Sequence, residues 1–273
     1  MDNFFDLDEY SPNSDIKKNE ILVKQSNDLT FKKNNSNQKT TSEKSSSNNI
    51  NEVPEITQYA IQDNTDISQY KNIPNPKIIK FPFELDTFQK RSIIRIENNE
   101  NLLVCAHTSS GKTVVAEYAI AKSFQNSKKV IYTSPIKALS NQKFREFKKI
   151  FDNIGIITGD VNINSGGQCL IMTTEILLSM LYKKSDLLNQ VGSVIFDEVH
   201  YINDNERGHI WEEILILLPS YIQIIMLSAT IPNNVEFANW VGRIKNTKVY
   251  MENTEKRVIP LQHQIFIDAK NIF

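Results

Sequence analysis

The sequence predicts an α/β fold in which a parallel sheet is covered by helices on both faces. Six short runs rich in Val, Ile and Leu have the continuous apolar character of strands buried on both sides. Helical patterns alternate with these runs along the chain, which is typical of an open α/β sheet. The 273 residues, 40% of them apolar, are sufficient for the core of one large domain or two small ones.

The strands are expected at about 101–106, 129–133, 154–158, 168–172, 192–197 and 222–228. Between them lie five helical patterns: "KTVVAEYAIAKSFQ", "IKALSNQKFREFKKI", "TEILLSMLYK", "GHIWEEILILLP" and "PNNVEFANWVGR". Cys105 and Cys169 are the only cysteines, and both fall in aliphatic runs. We interpret them as two reduced core thiols rather than a disulfide or a metal site. No apolar run approaches the roughly 20 residues needed to span a bilayer, so no membrane association is predicted.

The amino-terminal part of the chain has the composition of a disordered tail. Residues 26–50 contain six Asn and six Ser but only three sizeable apolar residues. Such a segment cannot bury enough surface to offset the entropy of ordering its backbone. We therefore predict a disordered tail rich in Asn, Ser and Lys over residues 1–71, and a folded domain over residues 72–260.

The segment "AHTSSGKT", residues 106–113, follows one predicted strand and precedes one predicted helix. It matches the phosphate-loop pattern at Gly111, Lys112 and Thr113, while Ala106 stands at the first glycine position. Backbone N–H groups of such a loop face phosphates at the positive end of the next helix. A structural turn is the alternative interpretation. The strand-loop-helix context favours ATP binding, with a site that comprises Ala106, His107, Thr108, Ser109, Ser110, Gly111, Lys112 and Thr113.

Two adjacent carboxylates, Asp197 and Glu198, follow the predicted strand at 192–197. An acidic residue in this position binds Mg²⁺ beside a phosphate loop, and its neighbour activates the attacking water. We therefore assign Mg²⁺ to Asp197 and to the hydroxyl of Thr113, and we expect Lys112 to reach the β- and γ-phosphates. The alternative is that the acidic pair caps the following helix.

Seven motifs together resemble the superfamily-two DExH RNA helicases, and more narrowly their superkiller (antiviral) branch and its close nuclear relative. They are "ELDTFQK", "AHTSSGKT", "YTSPIKALSNQKFREF", "TGDV", "MTTEIL", "VIFDEVHYINDNERG" and "LSATIPN", in the order and spacing of the family. The resemblance covers about residues 80–265. It implies a RecA-like P-loop NTPase lobe with a catalytic set of Lys112, Asp197, Glu198 and His200.

The resemblance also implies roles for residues outside the phosphate loop. Gln89 would hydrogen-bond the adenine edge, with Phe81, Phe83 or Phe88 beside it, although core packing is the alternative for each ring. Ser228 and Thr230 would couple the γ-phosphate site to the nucleic-acid face. Single-stranded RNA would contact loops at the strand ends through Ser134, Pro135, Lys137, Asn141, Gly159, Asp160, Thr173, Thr174 and Glu175.

The local charge agrees with RNA binding, although the net charge of −1 does not decide it. Residues 128–149 hold seven Lys or Arg against one acid, Glu146. We interpret Lys148 and Lys149 as a solvated helix face. Because the implied contacts are to the backbone of the RNA, binding is expected to depend on salt and not on base sequence.

Only 43 residues follow Thr230, too few for the second RecA-like lobe. We expect the chain to be the first motor lobe of a longer enzyme, with residues 261–273 as the start of the second lobe. The resemblance implies 3′-to-5′ RNA unwinding for decay, with the RNA exosome and superkiller-complex subunits as partners. It implies a cytoplasmic location, with a nuclear one as the alternative. A non-catalytic adaptor that retains the ATP site is the rival interpretation.

Overall fold

A nine-stranded sheet forms the centre of the computed structural model, which describes residues 58–73, 79–229, 231–254, 266–268 and 271–272. The strands are β1 (Ala60–Gln62), β2 (Asn101–Ala106), β3 (Lys129–Ser134), β4 (Ile154–Ile157), β5 (Asn162–Ile163), β6 (Cys169–Thr173), β7 (Val191–Phe196), β8 (Gln223–Ser228) and β9 (Val249–Thr254). Their order across the sheet is β1-β9-β2-β8-β7-β3-β6-β4-β5. Neighbouring strands are parallel except β4 and β5, which are antiparallel. Two further strands, β10 (Phe266–Asp268) and β11 (Asn271–Ile272), form a separate antiparallel pair.

Helices connect the strands of the sheet. They are α1 (Thr87–Glu97), α2 (Lys112–Gln125), α3 (Lys137–Phe147), α4 (Thr174–Tyr182), α5 (Gly208–Leu217) and α6 (Asn234–Lys245). Short 3₁₀ helices occupy Ile67–Asn72, Asp186–Gln190 and Val199–Asn203. Within the described ranges, no helix combines the length and the apolar character needed to cross a membrane.

The two faces of the sheet are covered by different helices, as β2 illustrates. Leu102 and Val104 pack into one core with residues of α1, α2 and α3. Leu103 and Cys105 face the other way and pack with α4, α5 and α6. Alternate residues of a strand therefore enter two separate cores, which explains why the strands have no polar face. The predicted α/β class is confirmed.

All six predicted strands are present, and each boundary agrees within one residue. The five predicted helical segments are helices, and both cysteines are buried and free of disulfide bonds. Three strands of the large sheet, β1, β5 and β9, were not predicted, and neither were the pair β10 and β11 or the helix α1. β1 and β5 contain only three and two residues, so neither is long enough to show a periodic pattern.

The predicted boundary of the folded domain near residue 72 is wrong, because β1 lies inside the predicted tail. β1 pairs in parallel with β9, Ala60 opposite Val249. The backbone N–H groups of Tyr59 and Ala60 both donate to Asn239 Oδ1 at 2.8 Å. The folded domain therefore includes residues 58–73. Residues 1–57 of the predicted tail lie outside the described residues, as do residues 255–265 near the predicted start of a second lobe.

Arg95 of α1 holds the segment that follows β1 against the domain. Its guanidinium donates two hydrogen bonds to Asp63, at 2.7 and 2.8 Å, and one to Glu100 at 2.8 Å. The same group lies over the ring of Tyr250 in β9, 3.7 Å from the centroid. Since Asp63 is buried and bidentate pairs of this kind are strong, the β1 segment is an integral part of the domain.

Candidate functional site

The predicted nucleotide residues meet at the carboxyl ends of neighbouring parallel strands. The phosphate loop follows β2, Asp197 and Glu198 follow β7, and Ser228 ends β8, which lies between them. Ligands of open α/β sheets bind at this edge of the sheet. Topology therefore brings together groups that are more than 80 positions apart in the sequence.

The backbone of the phosphate loop depends on its single glycine, Gly111. Gly111 has a φ of +90°, which L-residues rarely adopt. A Cβ built on Gly111 would lie 2.5 Å from Gln89 Nε2, so a side chain at this position would displace the Gln89 amide. Ser109 also has a positive φ, +66°. Ala106, by contrast, is a buried residue within β2, where glycine is not required.

Lys112 begins α2, and its ammonium group lies in the loop. Nζ donates to the backbone oxygens of Ala106 at 2.6 Å and His107 at 3.1 Å. Burial lowers the pKa of Lys112, and the nearby charges of Glu198 and Asp197 oppose that shift. The two carboxylates are therefore close enough to interact electrostatically with Lys112. This is the arrangement expected of a phosphate loop that faces an acidic, metal-binding strand end.

Ser110 provides a test of whether the loop suits a phosphate group. Its Oγ is buried and has no hydrogen-bond partner among the described residues. A buried hydroxyl without a partner is unfavourable by about 1–3 kcal/mol. An anion bound at the amino terminus of α2 would accept a hydrogen bond from this hydroxyl. The donors of the loop therefore fit a nucleotide phosphate.

The acidic pair is held in a defined orientation. Asp197 is 8% exposed. Its Oδ2 accepts a hydrogen bond from the phenol of Tyr132, and its Oδ1 accepts one from the backbone N–H of Glu198 at 3.0 Å. Glu198 has a left-handed backbone, with φ of +56°. The alternative that the pair caps the next helix is wrong, because the 3₁₀ helix at Val199–Asn203 has no side-chain cap.

Tyr132 was not assigned a role from the sequence, although it lies inside the quoted motif "YTSPIKALSNQKFREF". It is 1% exposed in β3, and its ring packs edge-on against Phe147 at 5.2 Å. Burial and the charge of Asp197 raise the pKa of Tyr132 well above its usual value. The phenol is therefore neutral near pH 7 and donates to Asp197.

Gln89, which the sequence predicts beside an adenine, lies between α1 and the phosphate loop. Its side chain is 4% exposed. Oε1 accepts from the backbone N–H of Asp86 at 2.9 Å, and Nε2 donates to the carbonyl oxygen of Gly111 at 3.1 Å. Both amide atoms thus join the start of α1 to the phosphate loop, and the adenine contact of Gln89 stays a prediction. Phe88 is a core residue, and Phe83 is exposed, 5.8 Å from Phe81 between ring centroids.

Ser228 and His200, of the predicted coupling and catalytic sets, lie at the same edge of the sheet as the phosphate loop. Ser228 Oγ is buried at the end of β8 and has no hydrogen-bond partner in the part of the chain that the structure describes. His200 Nδ1 lies 3.3 Å from Glu198 Oε2 but does not have hydrogen-bond geometry. Thr230 lies outside the described residues.

The predicted RNA contacts form two clusters at the ends of β3, β4 and β6. In the first, Lys137 Nζ binds Asp160 Oδ2 at 2.6 Å, and both side chains are exposed, by 52% and 70%. A Cβ on Gly159 would lie 3.3 Å from the same ammonium. In the second cluster, Arg207 donates to the carbonyl oxygen of Pro135 at 3.3 Å and lies 3.7 Å from Glu175.

Not every predicted RNA contact has an accessible side chain. Ser134, Thr173 and Thr174 are buried, and the hydroxyl of Ser134 shares a hydrogen bond with Ser140 at 2.7 Å. Asn141 is partly exposed on α3. Arg207 was missed because it lies in a polar loop, "NDNERG", that has no charge run to mark it. Its contacts with Pro135 and Glu175 depend on how the loops meet in three dimensions.

Comparisons with known proteins agree with this geometry. A family model described as DEAD/DEAH box helicase matches residues 86–238. Antiviral helicase SKI2 of Saccharomyces cerevisiae is 60% identical over 196 residues, which are 71% of this chain and 15% of that protein. Superkiller complex protein 2 of Homo sapiens is 55% identical over 197 residues, 72% of this chain and 16% of that protein. This chain therefore spans less than a fifth of the length of these two relatives.

Among solved structures, the DUF1998 helicase MrfA bound to DNA and AMPPNP superposes with a TM-score of 0.55. The two chains are 20% identical, and the match covers 67% of this chain and 30% of the other. At that identity the likeness concerns the fold alone. It agrees with the mostly parallel sheet and its two layers of helices described above.

Proposed function

Since the chain belongs to the DEAD/DEAH box helicase family, we propose that it is the ATP-binding motor lobe of an ATP-dependent RNA helicase. The observation that carries the proposal is the convergence of Lys112, Asp197 and Glu198 at the carboxyl edge of the sheet. A phosphate loop facing an acidic strand end is the arrangement that phosphoryl transfer to water requires.

In this proposal different residues of the chain bind the phosphates, bind Mg²⁺ and activate the attacking water. The loop amides, the Ser110 hydroxyl and Lys112 bind the phosphates, and Lys112 exchanges its carbonyl partners for phosphate oxygens. Thr113 and Asp197 hold Mg²⁺, which supplies charge neutralisation at the phosphates when bound. Glu198 orients the attacking water and accepts its proton. The fixed Asp197 carboxylate and the left-handed backbone at Glu198 set the positions of both acids.

We propose that single-stranded RNA binds at the carboxyl ends of β3, β4 and β6, further along the same edge of the sheet than the phosphate loop. The exposed ammonium of Lys137 and the partly exposed Asn141 lie at the start of α3. Free N–H groups at the amino termini of α3 and α4 add donors for phosphate oxygens. Contacts of this type bind the backbone of the strand and not its bases.

The similarity to SKI2 and to superkiller complex protein 2 supports a place in RNA decay as part of the same proposal. The proposed partners are superkiller-complex subunits and the RNA exosome, the proposed polarity is 3′-to-5′, and the proposed location is cytoplasmic. The nuclear relative remains the alternative for the location.

Binding of a fluorescent ATP analogue with Mg²⁺ tests the proposal. Lys112→Ala should weaken binding about tenfold or more, since it removes a charge-assisted contact of roughly 1.5–3 kcal/mol. Lys148→Ala is the matched control, because this lysine is exposed at the end of α3. Unchanged affinity in Lys112→Ala would contradict the assignment. To separate the enzyme from the rival adaptor, ATP hydrolysis is measured with Glu198→Gln as the inactive reference, and an adaptor would show no difference between the two proteins.

A further inference from the structure

Lys143 of α3 reaches the phosphate loop from the neighbouring helix. Its Nζ donates to Thr113 Oγ1 at 3.2 Å. The same ammonium binds Glu146 Oε2 at 2.9 Å, one turn further along α3. The side chain is 15% exposed, and its ammonium lies 6.0 Å from the centroid of the Phe147 ring. The hydroxyl of Thr113 is the one assigned to Mg²⁺ above, so a protein cation already contacts the proposed metal ligand.

The charges around Lys143 show that its ammonium lies in the electrostatic field of the site. Its charge is among the causes that lower the pKa of Lys112, after burial. On the other side, burial raises the pKa of Glu117 in α2, and the charge of Lys143 opposes that shift while Glu146 adds to it. Lys143 therefore interacts electrostatically with Lys112 in the loop and with the carboxylates of Glu117 and Glu146 outside it.

We propose that Lys143 is the resident cation of the metal site: it donates to Thr113 when no divalent cation is bound and yields that oxygen when Mg²⁺ arrives. This inference rests on the proposed function. It adds that Lys143 determines how strongly nucleotide binding depends on Mg²⁺.

Electrostatic repulsion favours the exchange. The Thr113 hydroxyl has two lone pairs, but an ammonium group and a metal ion on the same oxygen repel each other strongly in a partly buried site. Lys143 has another partner at hand, because Glu146 stays within 2.9 Å. A change of side-chain torsion therefore releases Thr113 without any movement of α3.

Removal of the ammonium should affect nucleotide binding in opposite directions with and without metal. Without Mg²⁺, Lys143 supplies positive charge beside the phosphates, so Lys143→Met should bind ADP or ATP in EDTA about tenfold more weakly. With Mg²⁺, the variant has no ammonium to displace, so its affinity should equal or exceed that of the wild type. The dissociation constant in EDTA divided by the dissociation constant in Mg²⁺ should therefore be about tenfold or more higher in the variant than in the wild type. Methionine keeps the apolar stem beside Phe147.

Three controls keep the test decisive. Lys148→Met removes an exposed lysine directly after the last residue of α3 and should leave the ratio at its wild-type value. Lys143→Arg keeps a charged donor and should return the ratio toward the wild-type value, which a purely structural role would not require. Thermal unfolding of each variant shows whether it is folded.

An equal loss of affinity in EDTA and in Mg²⁺ would overturn the inference, and so would a greater loss in Mg²⁺, since Lys143 would then be a ligand of the loaded site. If the wild-type protein binds no nucleotide under either condition, the proposed function itself fails. If the wild-type protein binds nucleotide but Lys143→Met leaves the ratio unchanged, only the inference about Lys143 fails.

Discussion

The phenol of Tyr132 donates a hydrogen bond to Asp197 Oδ2, so a fully buried tyrosine on β3 orients the acid that follows β7. The other oxygen of Asp197 accepts the backbone N–H of Glu198. Both oxygens of the proposed metal-binding carboxylate thus have a protein donor. The orientation of this acid depends on a residue that has no contact with solvent.

We predict that Tyr132→Phe weakens the Mg²⁺-dependent part of nucleotide binding about tenfold, since a hydrogen bond to a charged group is worth roughly 1.5–3 kcal/mol. The ring remains, so the packing against Phe147 is kept. The measurement is nucleotide affinity in Mg²⁺ and in EDTA, and only the former should fall. Tyr118→Phe is the matched control, because its phenol donates to Glu97 at 2.6 Å, away from the loop. Equal losses in both buffers would assign Tyr132 a structural role only.

The Lys137–Asp160 ion pair predicts opposite effects of its two members on RNA binding. Lys137→Met should lower the affinity for single-stranded RNA and reduce the salt slope by about one unit, as expected for one lost phosphate contact. Asp160→Asn should raise the affinity, because it removes an anion and frees the ammonium. Binding to oligonucleotides of different sequence at two salt concentrations checks both effects, with Lys149→Met as the control. A loss in Asp160→Asn as large as that in Lys137→Met would instead make the ion pair itself the binding element.

Stability should depend on pH through Glu252, a buried residue of β9. Burial, followed by the charge of Asp63, raises its pKa to about 8, although Arg91 and Arg95 oppose the shift. The folded protein then holds a proton that the unfolded chain releases above its ordinary pKa of 4.5. The stabilisation is complete below pH 4.5 and declines as pH rises toward 8, by up to about 1.4 kcal/mol per pH unit.

Urea unfolding between pH 5 and pH 8 measures this effect as a change in the free energy of unfolding. Glu252→Gln should remove most of the decline, because the amide stays neutral throughout. A variant that retains the full pH dependence of the wild type would show that other groups cause it.

Gly111→Ala should strain the backbone of the phosphate loop and disrupt its contact with Gln89 of α1. A left-handed φ is unfavourable for alanine by about 1–3 kcal/mol, and the new Cβ would lie 2.5 Å from Gln89 Nε2. Nucleotide affinity and melting temperature should both fall. Gln89→Ala removes the clash but not the strain, and it also removes the two hydrogen bonds of the amide. The double variant is therefore compared with Gln89→Ala alone, and Gly111→Ala should lower the melting temperature less in that background than in the wild type. An equal decrease in both backgrounds would mean that backbone strain alone accounts for the loss.

The sequence predicts the interior of this domain well because buried parallel strands are uninterrupted apolar runs, such as "NLLVC" before the phosphate loop. It fails at β1, where three residues carry no pattern and pairing depends on distant partners. Asn239, which accepts from the backbone of Ala60 in β1, is 179 positions away. Arg95, which binds Asp63 directly after β1, is 32 positions from that residue. A local pattern cannot contain such contacts.

The candidate site divides in the same way. Gly111, Lys112 and the acidic pair belong to compact motifs whose spacing in sequence reflects their chemistry. Tyr132 and Lys143 contact the site from β3 and α3, so their roles follow from the order of strands and helices. Gln89 shows the reverse case: its motif was recognised, but the contacts of its amide with Asp86 and Gly111 are visible only in three dimensions.

The short strands at the two ends of the sheet have a consequence for solubility. Unpaired N–H and C=O groups of a long edge strand offer a template to other chains, and very short edge strands reduce that hazard. Here the edge strands β1 and β5 contain three and two residues, whereas β9, the strand next to β1 in the sheet, contains six. β1 pairs with Val249, Tyr250 and Met251 of β9. A polypeptide that starts after residue 62 would leave these residues without their partner strand and present the whole length of β9 as an edge, and self-association would then compete with correct folding.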